Sequence, residues 1–71
     1  MPEHLSQSQV AQIREKGRFI LNDKELTQRQ KVSYIAAMCR DDKGIGLERL
    51  PVESVKSLIS TDWDLLVTTI G

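Results

Sequence analysis

The sequence predicts an all-α fold, a single small bundle of three to four helices formed by residues 1–71. Apolar residues recur at spacings of three and four in four segments, and most of these segments begin with helix-capping residues. The composition, 39% hydrophobic and 28% charged, is typical of a folded globular domain. With one Cys and one His, the chain forms neither an internal disulfide nor a four-ligand zinc site. Helix packing or self-association must therefore supply the stability, and we expect residues 1–5 to fray.

The first helix is predicted over residues 7–20. Ser6 and Gln9 form the pattern of a capping box, in which each side chain accepts a hydrogen bond from the other residue's backbone N–H. The positions on one side of this helix are Val10, Ile13, Gly17, Ile20 and Leu21. A glycine weakens a helix by about 1 kcal/mol relative to alanine, so a break at Gly17 is the main alternative.

The second helix is predicted over residues 28–40, because Thr27 and Gln30 repeat the capping pattern. Its apolar stripe consists of Val32, Ile35, Ala36 and Cys39. Residues 41–46 contain two glycines and show no helical period, which indicates a loop. We expect Ile45 and Leu47 to insert into the core from this side of the chain.

The third helix is predicted over residues 51–60, with Pro51 at its first position, where the missing N–H of proline is no loss. Its stripe consists of Val52, Val55, Leu58 and Ile59. A short fourth helix is predicted over residues 62–69, with Thr61 and Asp64 as an acidic capping box. Because β-branched residues favour strands, a helical and an extended conformation both stay open for residues 67–70.

The charges cancel over the whole chain, with ten basic and ten acidic residues. A net charge of zero argues against a general coat for nucleic acid or membrane surfaces, which needs surplus Lys and Arg. Residues 1–40 nevertheless carry seven basic and four acidic residues, a net +3, whereas residues 41–71 carry three and six, a net −3. The sequence shows neither a long apolar run nor a signal-peptide pattern, so we expect a cytoplasmic protein with no membrane partner.

We predict no enzymatic activity, no cofactor and no metal site. A nucleophilic Cys needs a neighbouring base, and the one His is His4, in the segment expected to fray. Cys39 lies on the apolar stripe of the second helix, where a small core residue is expected. The carboxylates at 41–42 and at 62 and 64 do not match a calcium loop, and Gly44 and Gly46 form only a bare G-x-G. We expect the first carboxylate pair in a solvated loop and the second at a helix N-terminus.

The function predicted is that of a non-enzymatic interaction module, a regulator or inhibitor that binds another protein or a second copy of itself. Several apolar side chains fall off the main stripes and are either gap fillers of the core or parts of a partner surface: Leu5, Phe19, Tyr34, Met38 and Leu65. Aromatic residues, Met and Arg are enriched at protein interfaces. The predicted partner-binding residues are therefore Arg18, Phe19, Tyr34, Met38 and Arg40. The size of the chain also fits a phage or bacterial accessory protein.

The alternative is a DNA-binding transcriptional regulator that uses a basic face of the first two helices. Its candidate residues are Arg14, Arg18, Arg29 and Lys31. A tight helix-turn-helix is disfavoured, because about ten residues separate the second and third helices where that motif uses three or four. A solvated basic face without a ligand explains the same residues.

Part of the sequence resembles the Hha/YmoA family of small helical modulators of nucleoid proteins. The residues that carry this resemblance span at most half of the chain: Glu15, Lys16, Arg18, Phe19, Leu21, Asp23, Glu25, Leu26, Tyr34, Ala36, Ala37 and Arg40. The Asp-His pair of that family is replaced here by Met38 and Cys39, and its last-helix tryptophan is missing near Val55. Because these departures remove the acidic contact such proteins use, the resemblance implies no site residue here, and we assign the chain to no family on this basis.

Overall fold

A computed structural model describes residues 4–67, and within them the fold is all-α, as predicted. The chain passes through five α-helices and one short 3₁₀ segment. These are α1 (Gln7–Lys16), α2 (Arg18–Leu21), α3 (Gln28–Asp41), the 3₁₀ segment Lys43–Ile45, α4 (Val52–Thr61) and α5 (Trp63–Val67). The three longer helices, α1, α3 and α4, enclose the core, and α3 and α4 share the most extensive contact.

The core consists of apolar side chains from every helix and from the segments between them. It is formed by Leu5, Ile13, Leu21, Val32, Ile35, Ala36, Cys39, Ile45, Leu47, Val55, Leu58, Ile59 and Leu66. Ile45 and Leu47 are each 2% exposed, which confirms that both insert from the loop. Gly46 between them has φ 83°, a left-handed conformation that glycine adopts without a steric penalty.

The capping box at the start of α1 is confirmed. The Ser6 hydroxyl accepts a hydrogen bond from the Gln9 N–H at 3.1 Å, and the Gln9 side chain accepts one from the Ser6 N–H at 2.9 Å. The amide of Gln9 also donates to the Ile45 carbonyl at 3.1 Å, so the same side chain fastens α1 to the 3₁₀ segment. On the same side of α1, Lys16 forms an ion pair with Asp42.

The first predicted helix is interrupted at Gly17, so the continuous helix over residues 7–20 is wrong and the predicted alternative is confirmed. Gly17 has φ −98° and ψ 14°, and α2 begins at the next residue. A Cβ atom placed on Gly17 would lie 2.9 Å from the Ile13 carbonyl oxygen and 3.4 Å from Met38 Cε. The close approach at Gly17 is therefore to the backbone carbonyl of α1 itself, while Met38 of α3 lies at van der Waals distance.

We expect Gly17→Ala to destabilise the protein by about 1–3 kcal/mol, because the added methyl would lie 2.9 Å from the Ile13 carbonyl oxygen and force the backbone of α1 to shift. Helix propensity alone predicts the opposite sign, a gain of about 1 kcal/mol. Urea unfolding measures the difference, and Ala11→Gly, at an exposed position of α1, calibrates the propensity effect. A stabilised Gly17→Ala variant would contradict the close approach.

Helix starts are predicted well where a side chain caps them and less well elsewhere. The Thr27–Gln30 capping box of α3 is confirmed, with hydrogen bonds of 3.2 and 2.9 Å. Pro51 lies at the N-cap of α4 and not at its first helical position, since its ψ of 149° is extended. The predicted start of the third helix is therefore early by one residue.

The junction between α4 and α5 differs from the prediction. Thr61 is the last residue of α4, so the predicted capping box of Thr61 and Asp64 is wrong. The chain turns at Asp62, whose backbone carbonyl accepts hydrogen bonds from the N–H groups of Leu65 and Leu66 at 3.0 and 3.2 Å. Val67 is helical, and the prediction for residues 68–70 lies outside the described residues.

Candidate functional site

An open groove of about 480 Å³ lies between α1 and α2 on one side and α5 on the other, and we call it the α1–α5 groove. It is lined by Ala11, Arg14, Glu15, Arg18, Leu21, Asn22, Leu66 and Val67. Leu21 and Leu66 are buried at its base, whereas Val67 is 41% exposed. Arg14 and Arg18 follow each other by one turn, so the groove combines an apolar base with a basic edge.

Phe19 is an exposed aromatic side chain next to this groove. Its ring is 80% exposed, the highest value among the large hydrophobic side chains of the described part. The guanidinium carbon of Arg18, a groove residue, lies 5.2 Å from the ring centroid, a cation–π distance. Since the core does not use Phe19, this side chain is available to a partner.

The structure divides the predicted partner-binding residues between two sides of α3. Tyr34 and Met38 are four residues apart and share one side of the helix, and Met38 is the residue that approaches Gly17 at the start of α2. Arg40 is two residues beyond Met38, which places it on the opposite side of α3. Arg40 therefore does not share the side of α3 that Tyr34 and Met38 form, and the partner-binding role of Arg18, Phe19, Tyr34, Met38 and Arg40 stays a prediction.

The four basic residues of the DNA-binding alternative also lie on different surfaces. Arg14 and Arg18 line the α1–α5 groove, whereas Arg29 lines a second groove between α3 and α4. The ammonium group of Lys31 donates a hydrogen bond to the Leu21 carbonyl at 3.0 Å, at the end of α2. The four residues do not form one continuous basic face, while DNA binding itself stays a prediction.

The groove between α3 and α4 has a volume of about 520 Å³ and is mostly polar. Its lining consists of Gln28, Arg29, Val32, Ser33, Glu53, Lys56 and Ser60. Glu53 and Lys56 lie 4.0 Å apart on exposed positions, where an ion pair contributes little. This groove shows no exposed aromatic side chain, so it is a weaker candidate for an interface than the α1–α5 groove.

Asp62 is a buried carboxylate that the sequence analysis assigned only to a helix start. It is 5% exposed, and its Oδ2 accepts a hydrogen bond from the Leu5 N–H at 2.7 Å. Its Oδ1 lies 3.0 Å from Nδ1 of His4. The hydrogen bond from Leu5, followed by the one from His4, holds the pKa of Asp62 below its ordinary value of 3.8.

The contact with Asp62 ties His4 and Leu5 of the N-terminal segment to the rest of the fold. Leu5 is 8% exposed and belongs to the core, so of its two predicted roles it fills a gap in the core and is not part of an exposed surface. Residues 1–3 lie outside the described part, and fraying of residues 1–5 stays a prediction. No local sequence signal indicates the contact, because Leu5 and Asp62 are separated by 57 positions along the chain.

Cys39 lies fully inside the core, which confirms its predicted position. Burial, with a smaller contribution from the nearby charge of Asp42, raises the pKa of the Cys39 thiol to about 11. At neutral pH the thiol is therefore protonated, and a thiol is a far weaker nucleophile than a thiolate.

We expect Cys39 to react with a thiol reagent only slowly in the native protein and rapidly once the chain is unfolded. Ala37→Cys places a second thiol on an exposed position of the same helix and serves as the control. This variant should show one fast and one slow thiol under native conditions. Fast reaction of Cys39 in the folded protein would contradict its burial and would revive a catalytic role.

Within residues 4–67, no three His, Cys, Asp or Glu side chains are grouped so that they could hold a metal ion. None of the helices in this part of the chain has the length and apolar character needed to cross a membrane. Comparisons with protein-family models, curated proteins and solved structures find no match to the chain.

Proposed function

We propose that the chain is a non-enzymatic interaction module, a regulator or inhibitor that acts by binding another protein or a second copy of itself. The observation that carries this proposal is Phe19, which is 80% exposed and contacts Arg18, a residue that lines the α1–α5 groove. Aromatic residues and arginine are enriched at protein interfaces relative to the rest of the surface.

The energetic argument is that Phe19 contributes little to the folded monomer and much to a complex. Transfer of a phenylalanine side chain from water to an apolar surface is worth about 1.5–3 kcal/mol. Leu21, Leu66 and Val67 extend the apolar area into the groove, while Arg14 and Arg18 supply hydrogen-bond donors at its edge. A partner segment with apolar and acidic side chains would complement both features.

Support for a non-enzymatic role comes from the positions of the two residues that could form a nucleophile and base pair. The Cys39 thiol is buried, and the His4 imidazole contacts Asp62.

A cytoplasmic location belongs to the same proposal, because a lone Cys is ordinary in a reducing compartment. Cell fractionation of the tagged chain tests the location.

The experiment is light scattering after size-exclusion chromatography over a concentration series, followed by affinity capture with wild-type and variant baits. We expect Phe19→Ser to lower the association by about tenfold or more, a loss of about 1.4 kcal/mol or more. Because Phe19 is exposed, the same variant should change the free energy of unfolding by no more than about 0.5 kcal/mol.

Two further variants map the surface. Arg40→Gln, on the other side of α3 from Met38, is the control and should bind as the wild type does. Tyr34→Ser tests whether the surface extends onto α3: a loss equal to that of Phe19→Ser enlarges the interface beyond the groove. A strict monomer at high concentration that captures the same proteins as its Phe19→Ser variant would contradict the proposal.

DNA binding is the second candidate, and Arg14 and Arg18 on one groove are the observation in its favour. A salt titration separates it from protein binding, because neutralisation of phosphates makes DNA affinity fall steeply with salt. The absence of binding at low salt would remove this candidate. Arg14→Gln with Arg18→Gln should reduce DNA binding, while Phe19→Ser should leave it unchanged.

A further inference from the structure

Asp62 connects the two walls of the α1–α5 groove through two different groups. Its side-chain carboxylate accepts the Leu5 N–H at 2.7 Å, and Leu5 directly precedes Ser6, the N-cap of α1. Its backbone carbonyl accepts the N–H groups of Leu65 and Leu66, in the first turn of α5. A single residue thus positions the starts of both helices that form the groove.

We propose that His4, Leu5 and Asp62 form a pH-sensitive latch that holds the start of α1 on α5 and thereby maintains the α1–α5 groove. The latch is closed when the Asp62 carboxylate is ionised and opens when it is protonated. This inference rests on the proposed function only for the role of the groove, since the latch itself is measured without a partner.

The latch depends on the ionised form because the contact uses both carboxylate oxygens as acceptors. Oδ2 accepts the Leu5 N–H and Oδ1 lies 3.0 Å from His4 Nδ1. A protonated carboxyl loses its attraction for the imidazolium and converts one oxygen into a hydrogen-bond donor. The oxygen that stays unprotonated is a weaker, uncharged acceptor for the Leu5 N–H, and because this contact is buried, water does not readily make up the difference.

Helix α5 is sensitive to this contact because it has only five residues, Trp63–Val67. A helix of this length is not stable in isolation and takes its position from its neighbours. The anchors of α5 are the buried side chain of Leu66, the partly buried Trp63 and the hydrogen bonds to the backbone of Asp62. Release of the Asp62 side chain therefore loosens the wall of the groove that contains Leu66 and Val67.

His4 is the charged side chain that contacts the Asp62 carboxylate, and further charged groups lie on the neighbouring helices. The charge of His4 acts on the Asp62 carboxylate and favours its ionised form. Asp64 lies two residues further on in α5, and Arg14 and Glu15 reach the groove from α1. Lys56 of α4 precedes Asp62 by six residues, about 9 Å of helix rise.

The direction of the pH effect follows from these contacts. Both hydrogen bonds favour the ionised carboxylate, so the latch stays closed at neutral and mildly acidic pH and opens as the pH falls through the lowered pKa of Asp62. When the pH rises and the imidazole loses its proton, the ion pair with His4 becomes a neutral contact. The bond from Leu5 persists, so the latch weakens without opening.

The test follows the amide resonances of Leu5 and Leu66 by NMR from neutral to acidic pH, together with their hydrogen-exchange protection. We expect the Leu5 amide to titrate with a midpoint below 3.8, the ordinary value for aspartate. Protection of both amides should fall together by about tenfold or more as the latch opens, corresponding to about 1.4 kcal/mol. A Leu5 amide that is unprotected at neutral pH, or a Leu66 amide that ignores the transition, overturns the proposal.

Variants separate the parts of the latch. Asp62→Asn removes the titration of the Leu5 amide, and His4→Gln raises its midpoint while leaving the amide protected at neutral pH. His4 is exposed, so its replacement does not unfold the chain and keeps the test decisive if Asp62→Asn fails to fold. Asp41→Asn, at an exposed position at the end of α3, is the control and should leave the midpoint unchanged. An unchanged midpoint in His4→Gln would remove His4 from the latch, and none of these results depends on binding by Phe19.

Discussion

Replacement of Ile35 by alanine is expected to lower the free energy of unfolding by about 2–5 kcal/mol. Ile35 lies at the centre of α3 and is fully buried. It also faces the close approach at Gly17, where a Cβ on the glycine would lie 3.7 Å from Ile35 Cγ1. Truncation to alanine would leave a cavity between α3 and the end of α1 that neither helix can fill without moving.

The effect is large in relation to the whole protein. At about 0.05–0.15 kcal/mol per residue, a chain of 71 residues has a total stability of about 4–11 kcal/mol. Chemical denaturation with circular dichroism measures the change in the free energy of unfolding. If the total stability of the wild type lies at the lower end of its range, unfolded Ile35→Ala chains should be populated at ambient temperature.

Tyr34→Ala is a matched control for Ile35→Ala, because the two residues are neighbours in the same helix. Tyr34 is 55% exposed, and its truncation should change the stability by no more than about 0.5 kcal/mol. Since alanine has a higher helix propensity than either residue, a loss of similar size for both variants would mean that the Tyr34 side chain contributes as much packing as that of Ile35, which would contradict the argument from burial.

The sequence predicted those features that depend on neighbours within a few residues. The stripe of α3 is a good example: Val32, Ile35, Ala36 and Cys39 are buried as their spacing required. Two of the three predicted capping boxes are present, at the starts of α1 and α3, because such a cap is formed by residues three positions apart. The third, Thr61 with Asp64, failed because Thr61 belongs to the preceding helix. The burial of Ile45 and Leu47 followed from their apolar character within an otherwise polar loop.

The interface hypothesis grouped Arg40 with Met38, although the sequence already separated the two residues. Met38 and Arg40 are two positions apart, and such residues lie on opposite sides of any continuous helix. The break at Gly17 was different, since helix propensity indicated a weak point without deciding whether α3 would approach it. That approach depends on Met38 in another helix.

The role of Asp62 lay beyond any local pattern. A carboxylate near a helix start usually acts on that helix, and the sequence offers no sign that its partners are 57 and 58 positions away. The contact arises only when α1 and α5 are packed side by side. The burial of Asp62 and its contacts with His4 and Leu5 are therefore features that could not be predicted from the sequence.

Asp62→Ala is expected to destabilise the protein by about 1–3 kcal/mol at neutral pH, because the buried Leu5 N–H loses its acceptor. The sign of the pH dependence follows from the lowered pKa of Asp62. A carboxyl group whose pKa is lower in the folded state stabilises the protein above its unfolded pKa, and this stability is lost as the pH falls through the folded pKa. The difference between wild type and variant should therefore shrink as the pH falls below about 3.8.

Fluorescence of Trp63, the single tryptophan and the residue next to Asp62, reports urea unfolding at each pH. Asp42 is the competing source of the same pH dependence, because hydrogen bonds from Lys16 and from the Gly44 N–H also lower its pKa. Asp42→Ala removes this contribution, and the two effects should add, since the two carboxylates share no partner. The prediction is contradicted if Asp62→Ala keeps the full dependence of the unfolding free energy on pH while Asp42→Ala abolishes it. The acid sensitivity would then come from the ion pair of Lys16 with Asp42, and not from the contact of His4 and Leu5 with Asp62.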